Sequence, residues 1–173
     1  AGSRVTIAGL NRNSLQRDVE FFDVLSHMGC EVRQQPDGIS ISREIARPLR
    51  GVTVDMSQIS DCVPTLAVVA LFADSPTTIS GVGFIRAKES DRIGDLALEL
   101  RKLGAQIDEH ADGFTVTPVA LHGASLATHD DHRLAMAFAI AKLRIGGIEV
   151  RNPEVVSKSW PDYFKVFESF FKK

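Results

Sequence analysis

Apolar positions along the chain follow two patterns. Between 92 and 103, Ile93, Leu96, Leu100 and Leu103 recur at three- and four-residue spacing, with Asp95, Glu99, Arg101 and Lys102 elsewhere. That period predicts an amphipathic helix with one buried face. The stretch 15–28 repeats it with Val19, Phe22 and Leu25. By contrast, CVPTLAVVALFA (62–73) and LAMAFAIAKL (134–143) are apolar almost all round, as helices enclosed by a core are. A last short helix is predicted after Pro161, carrying Phe164, Phe167, Phe170 and Phe171.

The pattern is duplicated. LSHMGCEVRQQPDGISI (25–41) and LRKLGAQIDEHADGFTV (100–116) align at an offset of 75, matching Leu25 with Leu100, Gly29 with Gly104, Asp37 with Asp112 and Gly38 with Gly113. Each predicts a helix end, a glycine C-cap, a strand, a tight Asp-Gly turn and a second strand. At an offset of 72, GVTVDMSQISD (51–61) pairs with GASLATHDDHR (123–133), each a strand leading into an enclosed helix. The order is therefore strand, amphipathic helix, hairpin, strand, buried helix, strand, then the same again, then a tail helix. This is a mixed α/β domain with helices packed on small sheets.

Composition narrows the function classes. With 173 residues, 20 Lys+Arg against 22 Asp+Glu, and a net charge of −2, the chain suits one sizeable domain and has no basic footprint for nucleic acid or polybasic membrane patch. Residues 62–73 are too short an apolar run to cross a bilayer, and no signal-peptide pattern opens the chain. Cys30 and Cys62 lack metal-ligand spacing and predict reduced core thiols of a cytoplasmic protein. Phosphate-binding glycine loops, the G-x-S-x-G elbow and H-E-x-x-H are absent.

Charge placement is the unusual feature. In RAKESDR (86–92), Ser90 suits the N-cap and Asp91 the first turn, but Arg92 sits where the helix dipole is already positive, at a cost of about 0.3–1 kcal/mol. Lys88 and Arg86 add to that field. HDDHRLAM (129–136) offers Asp130 or Asp131 as cap and then places His132 and Arg133 in the opening turn; Lys158 precedes the helix marked by Pro161. One such cation is ordinary on a surface helix. Three beside helix starts are better explained by an anion held between them. Asp61 is either a second cap beside Ser60 or, as the counterpart of Arg133, faces the same place. Glu89 is a structural ion-pair partner or an acid/base, and His132 a general base or an incidental imidazole. His27, His110, His122 and His129 look incidental. These residues imply a phosphorylated small molecule and proton transfer.

IRAKESDRI (85–93), DHRLAMAFAI (131–140) and KSWPDYF (158–164), in that order, closely resemble the C-terminal part of the 3-phosphoshikimate 1-carboxyvinyltransferase (EPSP synthase) family; SDCVPTLAVVALFA (60–73) and NSLQRD (13–18) are similar to it too. The resemblance implies an enolpyruvyl transferase lobe of repeated βαβαββ units, with buried helices and small mixed sheets outside. It implies transfer of the enolpyruvyl group of phosphoenolpyruvate to the 5-hydroxyl of 3-phosphoshikimate, with no cofactor and no metal. Residue by residue, Arg92, Arg133 and Lys158 match the cations that hold phosphoenolpyruvate. Asp61 and Lys88 match contacts to 3-phosphoshikimate; Asp61 also matches the base and Glu89 the acid, with His132 in a supporting place. Phe84 stands where some members have a polar residue that contacts the acceptor.

Family chains are well over twice as long. Residues 1–173 are therefore expected to form a single lobe, without the other lobe and an N-terminal strand, carrying half a site and inactive alone. The expected partners are the two substrates and the missing lobe, with no nucleic acid and no membrane; the complete enzyme is expected to be a cytoplasmic monomer. Two other assignments compete: a lobe like that of the UDP-N-acetylglucosamine enolpyruvyl transferase, and a non-catalytic anion-binding domain.

Overall fold

A computed structural model describes residues 3–44 and 46–170. Strand β1 (Ser3–Ala8) leads through a 3-10 turn, Arg17–Glu20, into helix α1 (Phe21–His27). The hairpin β2 (Glu31–Gln35) and β3 (Gly38–Arg43) follows, then β4 (Thr53–Asp55) and, after a 3-10 turn at Ser60–Cys62, helix α2 (Val63–Ala70). The second copy comprises β5 (Thr77–Ser80), a 3-10 turn Gly83–Ala87, α3 (Gly94–Arg101), the hairpin β6 (Gln106–His110) and β7 (Gly113–Thr117), β8 (Ser125–Leu126) and α4 (His132–Ala141). Strand β9 (Glu149–Val150), a 3-10 turn Pro153–Lys158 and α5 (Tyr163–Ser169) end the described chain. The predicted α/β order is thus observed.

Each hairpin lies antiparallel against the strand that opens its copy, giving the orders β1-β3-β2 and β5-β7-β6, and β4 adds to β5 in parallel. Strands β8 and β9 form a parallel pair. The two enclosed helices cross the centre: Val63, Leu66, Ala67, Val68 and Ala70 of α2 and Leu134, Ala137, Phe138 and Ala141 of α4 are buried in one core with Leu96 and Leu100 of α3. Small residues at 67, 70, 137 and 141 let the two helices approach closely, and Pro64 starts α2 where its missing N–H costs nothing.

The structure corrects the turn chemistry. Gly29 (φ +103°) and Gly104 (φ +88°) do take the left-handed C-cap conformation. The hairpin turns, however, are Pro36-Asp37 and Ala111-Asp112, because Gln35 pairs with Gly38 and His110 with Gly113. Gly38 and Gly113 are strand residues, needed because a Cβ there would run into the carbonyl oxygens of Ile7 and Ile79 on the neighbouring strand. Helix boundaries also moved. Residues 17–20 wind as a 3-10 turn before α1, and α3 opens at Gly94 rather than 92. In α5, Phe164 and Phe167 pack around Tyr163 and Val156, whereas Phe170 is exposed and Phe171 lies outside the described residues. Among the described residues, no helix is long and apolar enough to cross a membrane.

Candidate active site

Three helix starts meet at one place. The turn before α2 brings Asp61, the segment between the 3-10 turn at 83–87 and α3 brings Lys88, Glu89, Ser90 and Arg92, and the start of α4 brings Asp131, His132 and Arg133. Ser90 does not cap α3. Its hydroxyl donates to Asp131 Oδ2 at 3.1 Å, while Asp91 Oδ1 accepts from the N–H groups of Ile93 (3.1 Å) and Gly94 (2.9 Å). Freed from the helix end, Arg92 turns inward.

Arg92 is 1% exposed, and its guanidinium is enclosed by carboxylates. Nε donates to Asp131 Oδ2 at 2.6 Å and Nη2 to Asp131 Oδ1 at 3.3 Å. Nη2 also donates to Glu89 Oε2 at 2.6 Å, and Nη1 to Asp61 Oδ1 at 3.0 Å. Asp131, fully buried, also caps α4 by accepting from the Arg133 N–H at 2.8 Å. Burial pushes the Asp131 carboxyl up, but the Arg92 guanidinium, the Arg133 N–H and Ser90 outweigh it and hold the group below its ordinary value. The sequence offered Asp130 or Asp131 as the cap and missed the role of Asp131 beneath Arg92. The available signal was an arginine in an unfavourable place that needed a buried counter-charge.

Above this base lies a half-exposed rim. Asp61 does not cap α2; its carboxylate is the meeting point of three cations. Lys88 Nζ donates to Oδ1 at 2.7 Å, Arg92 Nη1 to the same oxygen, and Arg133 Nη2 to Oδ2 at 2.7 Å. The 72-residue offset that related Asp61 to Arg133 has become an ion pair. Burial raises the Asp61 carboxyl, and the Lys88 hydrogen bond with the charges of Arg133, Lys88 and Arg92 overcomes that and lowers it. The cluster is internally balanced: Lys88, Arg92 and Arg133 against Asp61, Glu89 and Asp131. Arg86 stands apart, paired with Asp91 at 2.8 Å, so it adds nothing to this field.

Burial, and then the neighbouring Arg133 charge, lower the His132 imidazole below its ordinary value; its Nδ1 is buried with no hydrogen-bond partner among the described residues. Phe84 is 53% exposed beside the cluster, with Lys88 Nζ 5.9 Å from its ring centroid. Lys158 is exposed at the end of the 3-10 turn that packs on α4, and it makes no ion pair among the described residues. The structure thus unites Asp61, Lys88, Glu89, Arg92 and Arg133, and leaves Lys158 outside their network. His129, which looked incidental, donates or accepts at 2.8 Å with the buried Glu99.

Three cations aimed at one carboxylate can exchange that carboxylate for a more highly charged anion, and the two acidic groups beside them can then move protons. Comparison with known proteins points the same way. The EPSP synthase (3-phosphoshikimate 1-carboxyvinyltransferase) family matches residues 1–167. A 3-phosphoshikimate 1-carboxyvinyltransferase of Methanoculleus marisnigri is 46% identical over 164 residues, which is 95% of this chain and 38% of that relative. The chloroplastic enzyme of Brassica napus is 44% identical over 99% of this chain and 34% of its own length. Among solved structures, EPSP synthase from Acinetobacter baumannii superposes with a TM-score of 0.83 at 26% identity, over 97% of this chain and 42% of the other. The enolpyruvyl transferase NikO from Streptomyces tendae gives 0.74 at 26% identity, over 96% and 38%. The chain spans less than half the length of each of these relatives.

Proposed function

Since the chain belongs to the EPSP synthase (3-phosphoshikimate 1-carboxyvinyltransferase) family, we propose that it carries the donor-holding half of a site that moves the enolpyruvyl group of phosphoenolpyruvate to the 5-hydroxyl of 3-phosphoshikimate and releases phosphate. The observation that supports this most is the convergence of Lys88, Arg92 and Arg133 on Asp61. In this proposal the phosphate and carboxylate of the donor take over Arg92 and Arg133, with Lys158 as the third donor-binding cation, while Lys88 and Asp61 face the acceptor. Seating that anion removes cationic charge from Asp61 and restores its basicity. Asp61 then takes the proton of the attacking hydroxyl as its oxygen bonds to the central carbon of the donor. Glu89 gives a proton to the methylene carbon. A proton lost from the resulting methyl group returns to Glu89 as the carbon–oxygen bond to phosphate breaks, which regenerates the double bond and the acid, and the proton held by Asp61 leaves on the departing phosphate. The fixed cations stabilise the departing phosphate.

The proposal treats 1–173 as one lobe of a two-lobe enzyme. It is supported by β9, which pairs among the described residues with β8 alone, where its counterpart β5 has β4 on one side and β7 on the other. A groove of about 920 Å³ beside β9, lined by Leu143, Ile148, Val150, Phe164 and Phe167, would then be covered by strands from elsewhere in the complete enzyme. The test is a two-lobe protein carrying this lobe, assayed with 3-phosphoshikimate and with UDP-N-acetylglucosamine. Glu89→Gln is expected to cut turnover at least about a hundredfold with donor binding kept. Unchanged turnover would make the cluster a scaffold, transfer to the sugar nucleotide alone would reassign the acceptor, and a full rate from the isolated chain would refute the half-site.

A further inference from the structure

One buried carboxylate lies outside the cluster yet touches the loop that builds it. Glu99, 0% exposed on the inner face of α3, accepts from Lys102 Nζ at 2.7 and 2.8 Å, from the Ala127 N–H at 2.9 Å and bonds His129 Nε2 at 2.8 Å. His129 Nδ1 also lies 3.4 Å from Asp95, one turn earlier on α3. The loop so held contains two successive left-handed residues, His129 (φ +50°) and Asp130 (φ +56°), a conformation that side chains disfavour and that persists only where the surroundings impose it. The next residue is Asp131, whose N–H donates to the Thr128 carbonyl at 2.9 Å and whose carboxylate fixes Arg92 and the start of α4.

The duplication supplies an internal control. At the offset of 75, Glu99 corresponds to Val24, and at 72, His129 and Asp130 correspond to Ser57 and Gln58, neither of which has positive φ. The first copy has neither the buried acid nor the left-handed turn, and it ends in Asp61 rather than in an arginine. The device therefore occurs only in the copy that must present Arg92 and Arg133.

We propose that Glu99 is a positioning residue: by gripping the Ala127 N–H and His129 it holds the left-handed turn 129–130, and so sets Asp131 beneath Arg92 and aims Arg133 into the anion site. Its consequence for donor binding rests on the function proposed above; its consequence for Arg92 does not. The test follows hydrogen exchange at Arg92 Nε–H by nitrogen-15 NMR, against the core amides of Leu66 and Phe138, with phosphoenolpyruvate affinity as a second readout. Glu99→Gln is expected to accelerate exchange at Arg92 by about tenfold or more with the core amides unchanged, the mark of local loosening. Adding Asp130→Gly, which lets residue 130 adopt positive φ unaided and removes an exposed side chain that makes no ion pair among the described residues, restores Arg92 protection to within about threefold of the original. Exchange rising equally at Arg92 and the core, no change at Arg92, or no rescue by glycine would each overturn the proposal. So would failure of both variants to fold, since Glu99 would then serve the core and not the turn. If the unaltered protein binds no phosphoenolpyruvate, the donor reading fails, while the exchange result still decides the role of Glu99.

Discussion

Replacing Asp131 with Asn tests the base of the cluster. The carboxylate is fully buried and receives four hydrogen bonds, two from Arg92, one from Ser90 and one from the Arg133 N–H. Asn keeps the shape and can still cap α4, but its amide N–H₂ must face Arg92 or the helix end, and the counter-charge is lost. Breaking a buried ion pair by removing one partner costs about 3–5 kcal/mol. Arg92 keeps Glu89 and Asp61, both partly exposed, so the lower figure, about 3 kcal/mol, is expected. At about 2–4 °C per kcal/mol for a chain of this size, Tm falls by roughly 6–12 °C. Urea unfolding at pH 7 should show the lower midpoint with an unchanged slope. The partner substitution Arg92→Met, alone and combined, closes a double-mutant cycle, and the coupling should reach about 2 kcal/mol or more. A loss below about 1 kcal/mol for Asp131→Asn, or strict additivity, would show that the pair is not what holds Arg92.

Acid should act on the same groups. Asp61, Asp91, Glu99 and Asp131 are each pushed up by burial and held lower by the hydrogen bonds and cations around them, with a net depression. A folded value below the unfolded one contributes stability that is present above about pH 4 and lost as pH falls through the folded value. Unfolding free energy measured from pH 7 downwards should therefore fall steeply below about pH 4, and the fall should be shallower in Asp131→Asn. Gly113→Ala should cost about 1–3 kcal/mol in thermal melts, because its Cβ meets the Ile79 carbonyl oxygen of the adjacent strand. The Cys62 thiol is pushed up to about 12, first by burial and then by Asp18, so alkylation at pH 8 should run about a thousandfold slower than in urea-unfolded chain.

How much of this was legible in advance follows from the range of each interaction. Periodicity and duplication are local signals, and they gave the two kinds of helix, the succession of elements along the chain and the glycine C-caps at 29 and 104. The convergence of Asp61, Arg92 and Arg133 could be suspected because the charges sat against helix dipoles. What escaped was non-local. Asp131 reaches Arg92 across 39 residues, and Ala127 and His129 reach Glu99 across 28 and 30; no spacing rule links such positions. The glycines at 38 and 113 were read as turn residues because Asp-Gly is a strong hairpin signal. Their true constraint, a neighbouring strand's carbonyl, exists only once the sheet is assembled. Ser90 looked like a cap for the same reason: the sequence cannot show that Asp91 would take the helix end and release the serine to Asp131.

The account stands on the claim that Arg92 and Arg133 exchange the Asp61 carboxylate for the donor anion. The most direct measurement is a titration of phosphoenolpyruvate into the isotope-labelled chain together with the other lobe of the proposed two-lobe enzyme, following the arginine Nε–H signals. Saturable shifts at residues 92 and 133, abolished by Arg133→Ala in a protein with an unchanged core spectrum, are the predicted result. Donor bound at saturation with both signals unmoved would contradict it.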